Sequence, residues 1–296
     1  MNNIIAEEHW VKKGDVDLFV YRKNIDTGEQ RPVFFLVHGS SFCGKSGFDL
    51  TVSGKPNYSF MDKFVELGYD VWTMDFEGYG RSSRTNSNSN ISMAIDDLDR
   101  AIELVENETG LASYYFYGQS SGAIRLALYA EKRPGRVKKA ILDAFVWTGE
   151  NAPTLIKRRE KLDQWRSNNV RPVDREFYHS IFNRDEPGTS EEGVSDALAD
   201  AELQYGDTVP TGTYLDMCAN LPINDPKNIK CPVMIMRGEH DGIATEKDLL
   251  NYFEELEVSD KQFIMIPNMA HVAPLSKNRH LFWHACHAFI SAPEAK

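Results

Sequence analysis

Short apolar runs alternate along most of the chain with longer stretches whose apolar positions recur every three or four residues. The runs at 33–38, 70–75, 113–117, 137–143, 233–237 and 262–266 have the length and composition of strands buried on both faces. Helical patterns lie near 58–67, 91–108, 120–132, 245–256 and 278–290. Residues 10–22 instead show β-type patterning around Gly14-Asp15, which predicts a hairpin. Continuous apolar strands separated by helices predict an α/β protein with a mostly parallel sheet covered on both faces. The alternation breaks at 147–226, which is polar, helical and rich in aromatics. The expected organisation is a core from 1–146 and 227–296, with 147–226 as a helical insertion.

Composition narrows the functional classes. The chain has 296 residues, 42% hydrophobic and 26% charged, enough for one large core. Its formal charge of −11 disfavours nucleic acid and anionic membrane surfaces as partners. No apolar run approaches the roughly 18 residues of a membrane helix, and MNNIIAEEHW lacks the basic start and apolar stretch of a signal peptide. Cys43, Cys218, Cys231 and Cys286 form no CxxC pair, so they read as reduced thiols of a cytoplasmic protein. TNSNSN, at 85–90, is a polar loop whose end can cap the next helix.

Two motifs compete for the chemistry. From Gly39, GSSFCGKS fits the phosphate-loop pattern G-x-x-x-x-G-K-[ST], and VWTMD, at 71–75, resembles a magnesium-binding strand end. A phosphate loop needs a helix beginning at its Lys-Ser. Here Lys45-Ser46 is followed by GFDLTVSGKP, whose glycines, β-formers and proline oppose one. The second motif is GQSSG, at 118–122, a G-x-S-x-G between the strand SYYFY and the helix SGAIRLALYA. That setting is the nucleophile elbow: small neighbours allow a sharp turn that lifts the oxygen of Ser120 above the sheet. Such a serine needs a base and an orienting acid. RGEHDG, at 237–242, offers Asp241, and PNMAH, at 267–271, offers His271, both just after strands, where open α/β sheets place their sites. Asp143, ending KKAILD, is the rival acid. His280 and His284 have metal-ligand spacing on one helix, but no acidic or cysteine partner is spaced for them.

With HGSS at 38–41 and DFEGYGRS at 75–82, these pieces resemble the α/β-hydrolase superfamily over nearly the whole chain. The resemblance implies the α/β-hydrolase fold, a Ser120–His271–Asp241 triad and a cap domain at 147–226. It also implies an oxyanion hole from the backbone N–H groups of Ser40, with Ser41 as the alternative, and Ser121. The Gly/Ser richness behind the phosphate-loop match then serves close backbone approach, and Lys45-Ser46 is incidental. The implied activity is acyl transfer from a carboxylic ester to water, with no metal or organic cofactor. A serine at the elbow separates the chain from the Asp-nucleophile dehalogenase and epoxide hydrolase branches. A carbon–carbon bond hydrolase or cofactor-free haloperoxidase of the same fold, and a non-catalytic hydrolase-like ligand receptor, remain the alternatives. The expected partner is a small-molecule ester, with no nucleic acid and no membrane, and a homodimer is left open.

Substrate contacts are expected in the insertion. Residues 157–184 carry eight basic residues against Glu160, Asp163, Asp174 and Glu176, while 185–207 carry eight acids and no base. These segments either pair as solvated helix faces or turn arginines inward to grip a substrate carboxylate. Arg158 and Arg159 are the named candidates for that grip, and Arg166 and Arg171 are further ones. Trp147 and Trp165, with Phe177, Tyr178 and Phe182, are candidates for an apolar wall.

Overall fold

The computed structural model describes residues 3–293; the extreme ends of the two expected core segments, 1–2 and 294–296, lie outside the described residues. The chain opens as an antiparallel hairpin, β1 (Ile5–Lys13) and β2 (Val16–Asn24), turning at Gly14 with φ +58°. β3 (Val33–Val37) leads into a one-turn helix, α1 (Gly44–Phe48), and then α2 (Phe60–Glu66) and β4 (Asp70–Met74). Next come α3 (Ala94–Thr109), β5 (Tyr114–Gln119), α4 (Ser121–Lys132) and β6 (Val137–Asp143). Asn90, closing the polar tract before α3, accepts the Met93 N–H at 3.0 Å.

The chain then leaves the sheet. It forms α5 (Pro153–Arg159), α6 (Leu162–Ser167), β7 (Val170–Pro172), α7 (Arg175–Asn183), α8 (Val194–Leu203), β8 (Thr208–Pro210) and α9 (Gly212–Ala219). It returns as β9 (Val233–Gly238), α10 (Glu246–Glu255), β10 (Lys261–Ile266) and α11 (Arg279–Ser291).

The main sheet has eight strands in the order β1-β2-β4-β3-β5-β6-β9-β10, parallel from β4 to β10. It separates two apolar layers. Along β3, Val33, Phe35 and Val37 enter one and Phe34 and Leu36 the other. That is why the strand reads as an unbroken apolar run. From β3 the chain goes to one side as β4, then crosses to the other as β5. The carboxyl ends of β3 and β5 therefore lie together at the switch point, where open α/β sheets bind ligands.

Two expectations need correcting. A helix does form at Gly44–Phe48, although local propensity opposes it. Tertiary contacts override propensity here: the Gly44 N–H donates to Asp75 Oδ1 at 2.8 Å, and Phe48 is fully buried. The helix stops before Gly54 and Pro56 take effect. The inserted segment is also not purely helical, because β7 and β8 pair antiparallel within it.

Candidate active site

Ser120 sits between β5 and α4 at φ +56°, ψ −123°, a region that costs a non-glycine residue about 1–3 kcal/mol. The flanking glycines make the turn possible. A Cβ on Gly122 would lie 2.3 Å from the Val37 carbonyl oxygen, and one on Gly118 2.6 Å from the Gly122 carbonyl oxygen. The serine is half-buried, at the N-terminal end of a 12-residue helix.

His271 and Asp241 meet it from the loops after β10 and β9. His271 Nε2 lies 3.0 Å from Ser120 Oγ, and His271 Nδ1 lies 2.9 and 3.0 Å from the Asp241 carboxylate oxygens. This contact pattern sets the tautomer: Nδ1–H donates to Asp241, leaving Nε2 to accept the Ser120 proton. The Asp241 side chain is fully buried. Burial alone would raise its pKa. The facing His271, with the N–H groups of Ile243 and Ala244 at 2.8 and 3.1 Å, outweighs burial and holds the carboxyl below its ordinary value.

Asp143 is held elsewhere. Its Oδ2 accepts Tyr117 O–H at 2.7 Å, and burial, with the Asp241 charge adding to it, pushes its pKa well up. Bonded to Tyr117, Asp143 makes no contact with His271, whose Nδ1 is held by Asp241.

The 38–41 loop closes the other side. His38 is buried and neutral, its pKa pushed down to about 3 by burial, with the nearby Arg125 charge adding to it. Its Nε2 accepts the Phe76 N–H at 3.1 Å, so Nδ1–H donates to the Gly39 carbonyl at 2.8 Å. This ties the end of β3 to the end of β4. Ser40 and Ser121 come together, with Ser40 Oγ donating to Ser121 Oγ at 2.7 Å. Ser121 is the first residue of α4, where a helix leaves its N–H groups without intrahelical partners. Ser41 is half-exposed, and its Oγ accepts from Arg171 Nη2 at 3.0 Å.

The phosphate-loop resemblance has a physical basis. The Cys43 N–H donates to Glu202 Oε1 at 2.8 Å, and the Gly44 N–H to Asp75 Oδ1 at 2.8 Å. The N–H groups that would cradle a phosphate hold two of the protein's own carboxylates. Lys45 points away, pairing with Glu8 at 2.9 Å over the Tyr21 ring.

A cavity of about 30 Å³ adjoins Ser120 and His271; Arg158, Arg184 and Ile181 from the inserted segment line it together with Phe42 and Val272. The basic run divides. Arg175 pairs with Asp196 and Asp200, and the exposed Arg166 with Asp163 at 3.6 Å. Arg159 donates to the Cys218 carbonyl at 3.2 Å, away from the cavity. Arg158, Arg171 and Arg184 turn inward around Tyr214. The Arg158 and Arg171 guanidiniums lie 3.9 and 4.0 Å from the Tyr214 ring centre.

Trp165 stands edge-on to Tyr214 and donates to the Arg158 carbonyl at 3.1 Å, behind the arginines. Trp147 packs against Tyr252. Phe177 lies under Arg171, Tyr178 packs near Phe42, and Phe182 is buried in the core. The cavity's apolar wall is therefore Phe42, Ile181 and Val272 instead of the expected aromatics.

His280 and His284 are exposed on α11. Among the described residues no group of three or more His, Cys, Asp or Glu side chains could hold a metal ion, and no helix is long and apolar enough to cross a membrane. All four cysteines are free and buried.

A serine at a strained strand–helix turn, facing a histidine and a buried aspartate on a sheet of this order, defines an α/β-hydrolase. The chain belongs to the α/β-hydrolase family described as serine aminopeptidase, S33, whose model matches residues 53–275 and so spans Ser120, Asp241 and His271 but not the 38–41 loop. No curated protein matches it by sequence. A bromoperoxidase from Bacillus anthracis is similar in structure, with a TM-score of 0.72 at 19% identity, over 97% of this chain and 100% of that one. A hydrolase from Pseudomonas aeruginosa PA01 gives 0.73 at 14%, over 96% and 98%. The 2-hydroxy-6-oxo-6-phenylhexa-2,4-dienoate hydrolase of Rhodococcus sp. strain RHA1 gives 0.70 at 16%, over 98% and 100%. At such identities the likeness is one of fold.

Proposed function

We propose that this hydrolase cleaves a carboxylic ester through an acyl-enzyme on Ser120. The observation that carries the reading is the continuous hydrogen-bonded line from Ser120 Oγ through both His271 nitrogens to Asp241. His271 Nε2 takes the Ser120 proton as Oγ attacks the ester carbonyl carbon. The backbone N–H groups of Ser40 and Ser121 receive the oxyanion, each donor contributing about 3 kcal/mol to the transition state. The carbonyl re-forms, the C–O bond to the alcohol breaks, and His271 returns its proton to the departing oxygen. Water, deprotonated by His271, then attacks the acyl carbon, and Ser120 leaves with the proton. Asp241 holds the imidazole tautomer and stabilises its cationic form.

Fold alone does not separate an ester hydrolase from a carbon–carbon bond hydrolase or haloperoxidase. A p-nitrophenyl ester series tests the reading. Sustained multiple turnover, abolished in a folded Ser120→Ala variant but not in Ser121→Ala, is expected, since Ser121 acts through its backbone. Absence of turnover across the series, or equal loss in both variants, would count against it.

A further inference from the structure

We propose that Arg158 and Arg184 form an anion subsite that takes the free carboxylate of a short acidic ester while Ser120 attacks its ester carbonyl. The proposal rests on the ester-hydrolase reading and names its substrate class. Both arginines line the cavity that also contains Ser120 and His271.

Their donors are not used up within the protein. Arg158 Nη1 and Arg184 Nε are shielded from solvent without a hydrogen-bond partner among the described residues, although Arg184 Nε stands 3.5 Å from Asp185 Oδ1 as an ion pair. Buried guanidinium donors are normally satisfied, so unmade ones beside a reactive serine need an explanation.

The charge balance points the same way. Arg158, Arg171 and Arg184 crowd one ring, Tyr214, within a protein of net charge −11. Burial would raise the Tyr214 pKa. The charges of Arg158, Arg171 and Arg184, with a hydrogen bond from Ser41, instead bring it down to about 7. Burial is also the main cause that lowers the Arg158 pKa, to about 10; the Tyr214 charge opposes the shift, while Arg184 and Arg171 add to it. The nearest acid on these elements, Asp185, pairs with Arg184 Nε at 3.5 Å and also accepts from Thr154 Oγ1 at 3.4 Å. With Asp185 paired to Arg184 and Tyr214 ionised, three cations face two internal anions, which leaves one positive charge over. A substrate carboxylate balances it, and a guanidinium fork matches its two oxygens.

Arg171 also has a buried Nε without a partner among the described residues, but it does not line the cavity, and its Nη2 donates to the Ser40 carbonyl and Ser41 Oγ, at 3.1 and 3.0 Å. It positions the 38–41 loop. The cavity, at about 30 Å³, holds roughly one water as it stands. Any ester larger than a water therefore needs lining side chains to give way, which favours the shortest acidic esters. Water enters such a reaction, and an alcohol and a dicarboxylate leave.

The test measures kcat/KM on monomethyl succinate and on dimethyl succinate in wild type, Arg158→Gln, Arg184→Gln and Arg166→Gln. Wild type is expected to favour the monoester by about 10- to 100-fold. Either inward variant should move the ratio towards one, while Arg166→Gln, on the solvent side, should not. Hydrolysis of the diester without preference for the monoester would overturn the subsite and leave the ester-hydrolase reading standing.

A second measurement is independent of turnover: calorimetric binding of succinate to Ser120→Ala, and to Ser120→Ala carrying Arg158→Lys or Arg184→Lys, which keep the charge but lose the fork. Binding that weakens in the lysine variants supports the subsite even if neither ester is cleaved. No succinate binding, or binding of inorganic phosphate equally tight, would overturn the carboxylate assignment.

Discussion

Glu202 offers a quantitative test of how the inserted segment is held to the core. It lies on α8, its carboxylate accepts the Cys43 N–H, and Asp75 lies close by in the same buried cluster. Burial, with the Asp75 charge adding to it, raises the Glu202 pKa from 4.5 to about 7, and burial raises that of Asp75 to about 6. Between pH 4.5 and about 7 the unfolded chain has released the Glu202 proton while the folded chain keeps it. Stability therefore falls as pH rises through that window, and the penalty persists above it. Holding the carboxyl at about 7 instead of 4.5 corresponds to about 3 kcal/mol. Glu202→Gln removes the ionisation and keeps a carbonyl oxygen for the Cys43 N–H. Near pH 8 the variant should be the more stable by about 2–3 kcal/mol, or roughly 4–6 °C in Tm for a chain of this size. Near pH 4.5 the gap should close. Melting both proteins by circular dichroism between those limits is sufficient. A constant offset at every pH, or a variant less stable at pH 8, would refute the reasoning.

Asp241→Asn should lower kcat by about 10⁴-fold through loss of the His271 tautomer. Asp143→Asn should lower it less than about tenfold, because that carboxyl is bonded to Tyr117; the reverse order in folded variants would move the acid to β6. Lys45→Ala should change stability by less than about 1 kcal/mol, since its pair with Glu8 is partly solvated, and should leave ester turnover as it was. Micromolar ATP or GTP binding by wild type, measured by calorimetry, would contradict the finding that Glu202 and Asp75 occupy the loop's N–H groups.

The sheet was legible because its central strands, β3, β4 and β9 above all, are buried on both faces and read as mostly apolar runs, while β6, with two lysines, and the edge strand β10, only partly buried, still stand out between helical patterns; 137–143 matches β6 at both ends. The elbow was legible because its steric demand is local: two glycines at fixed offsets from Ser120 suffice to mark it. His271 and Asp241 could be named because each follows a recognisable strand. The arginines were not separable in this way. Arg158 and Arg159 are neighbours about 100° apart on α5. Which of them faces the cavity depends on how α5 packs on α9, a tertiary fact with no sequence signature. Arg184, just past the end of α7, and Phe42, Ile181 and Val272 gave no chemical cue. The α1 turn was hidden because a buried carboxylate, Asp75, holds its N-terminus against an unfavourable local propensity.

The central claim, nucleophilic attack by Ser120 activated through His271, is tested most directly by treating the protein with a fluorophosphonate and mapping the adduct by peptide mass spectrometry. A single phosphonylated residue, Ser120, is expected, with no adduct in Ser120→Ala and labelling slowed by orders of magnitude in His271→Ala. Labelling of another residue, or undiminished labelling in His271→Ala, would contradict the account.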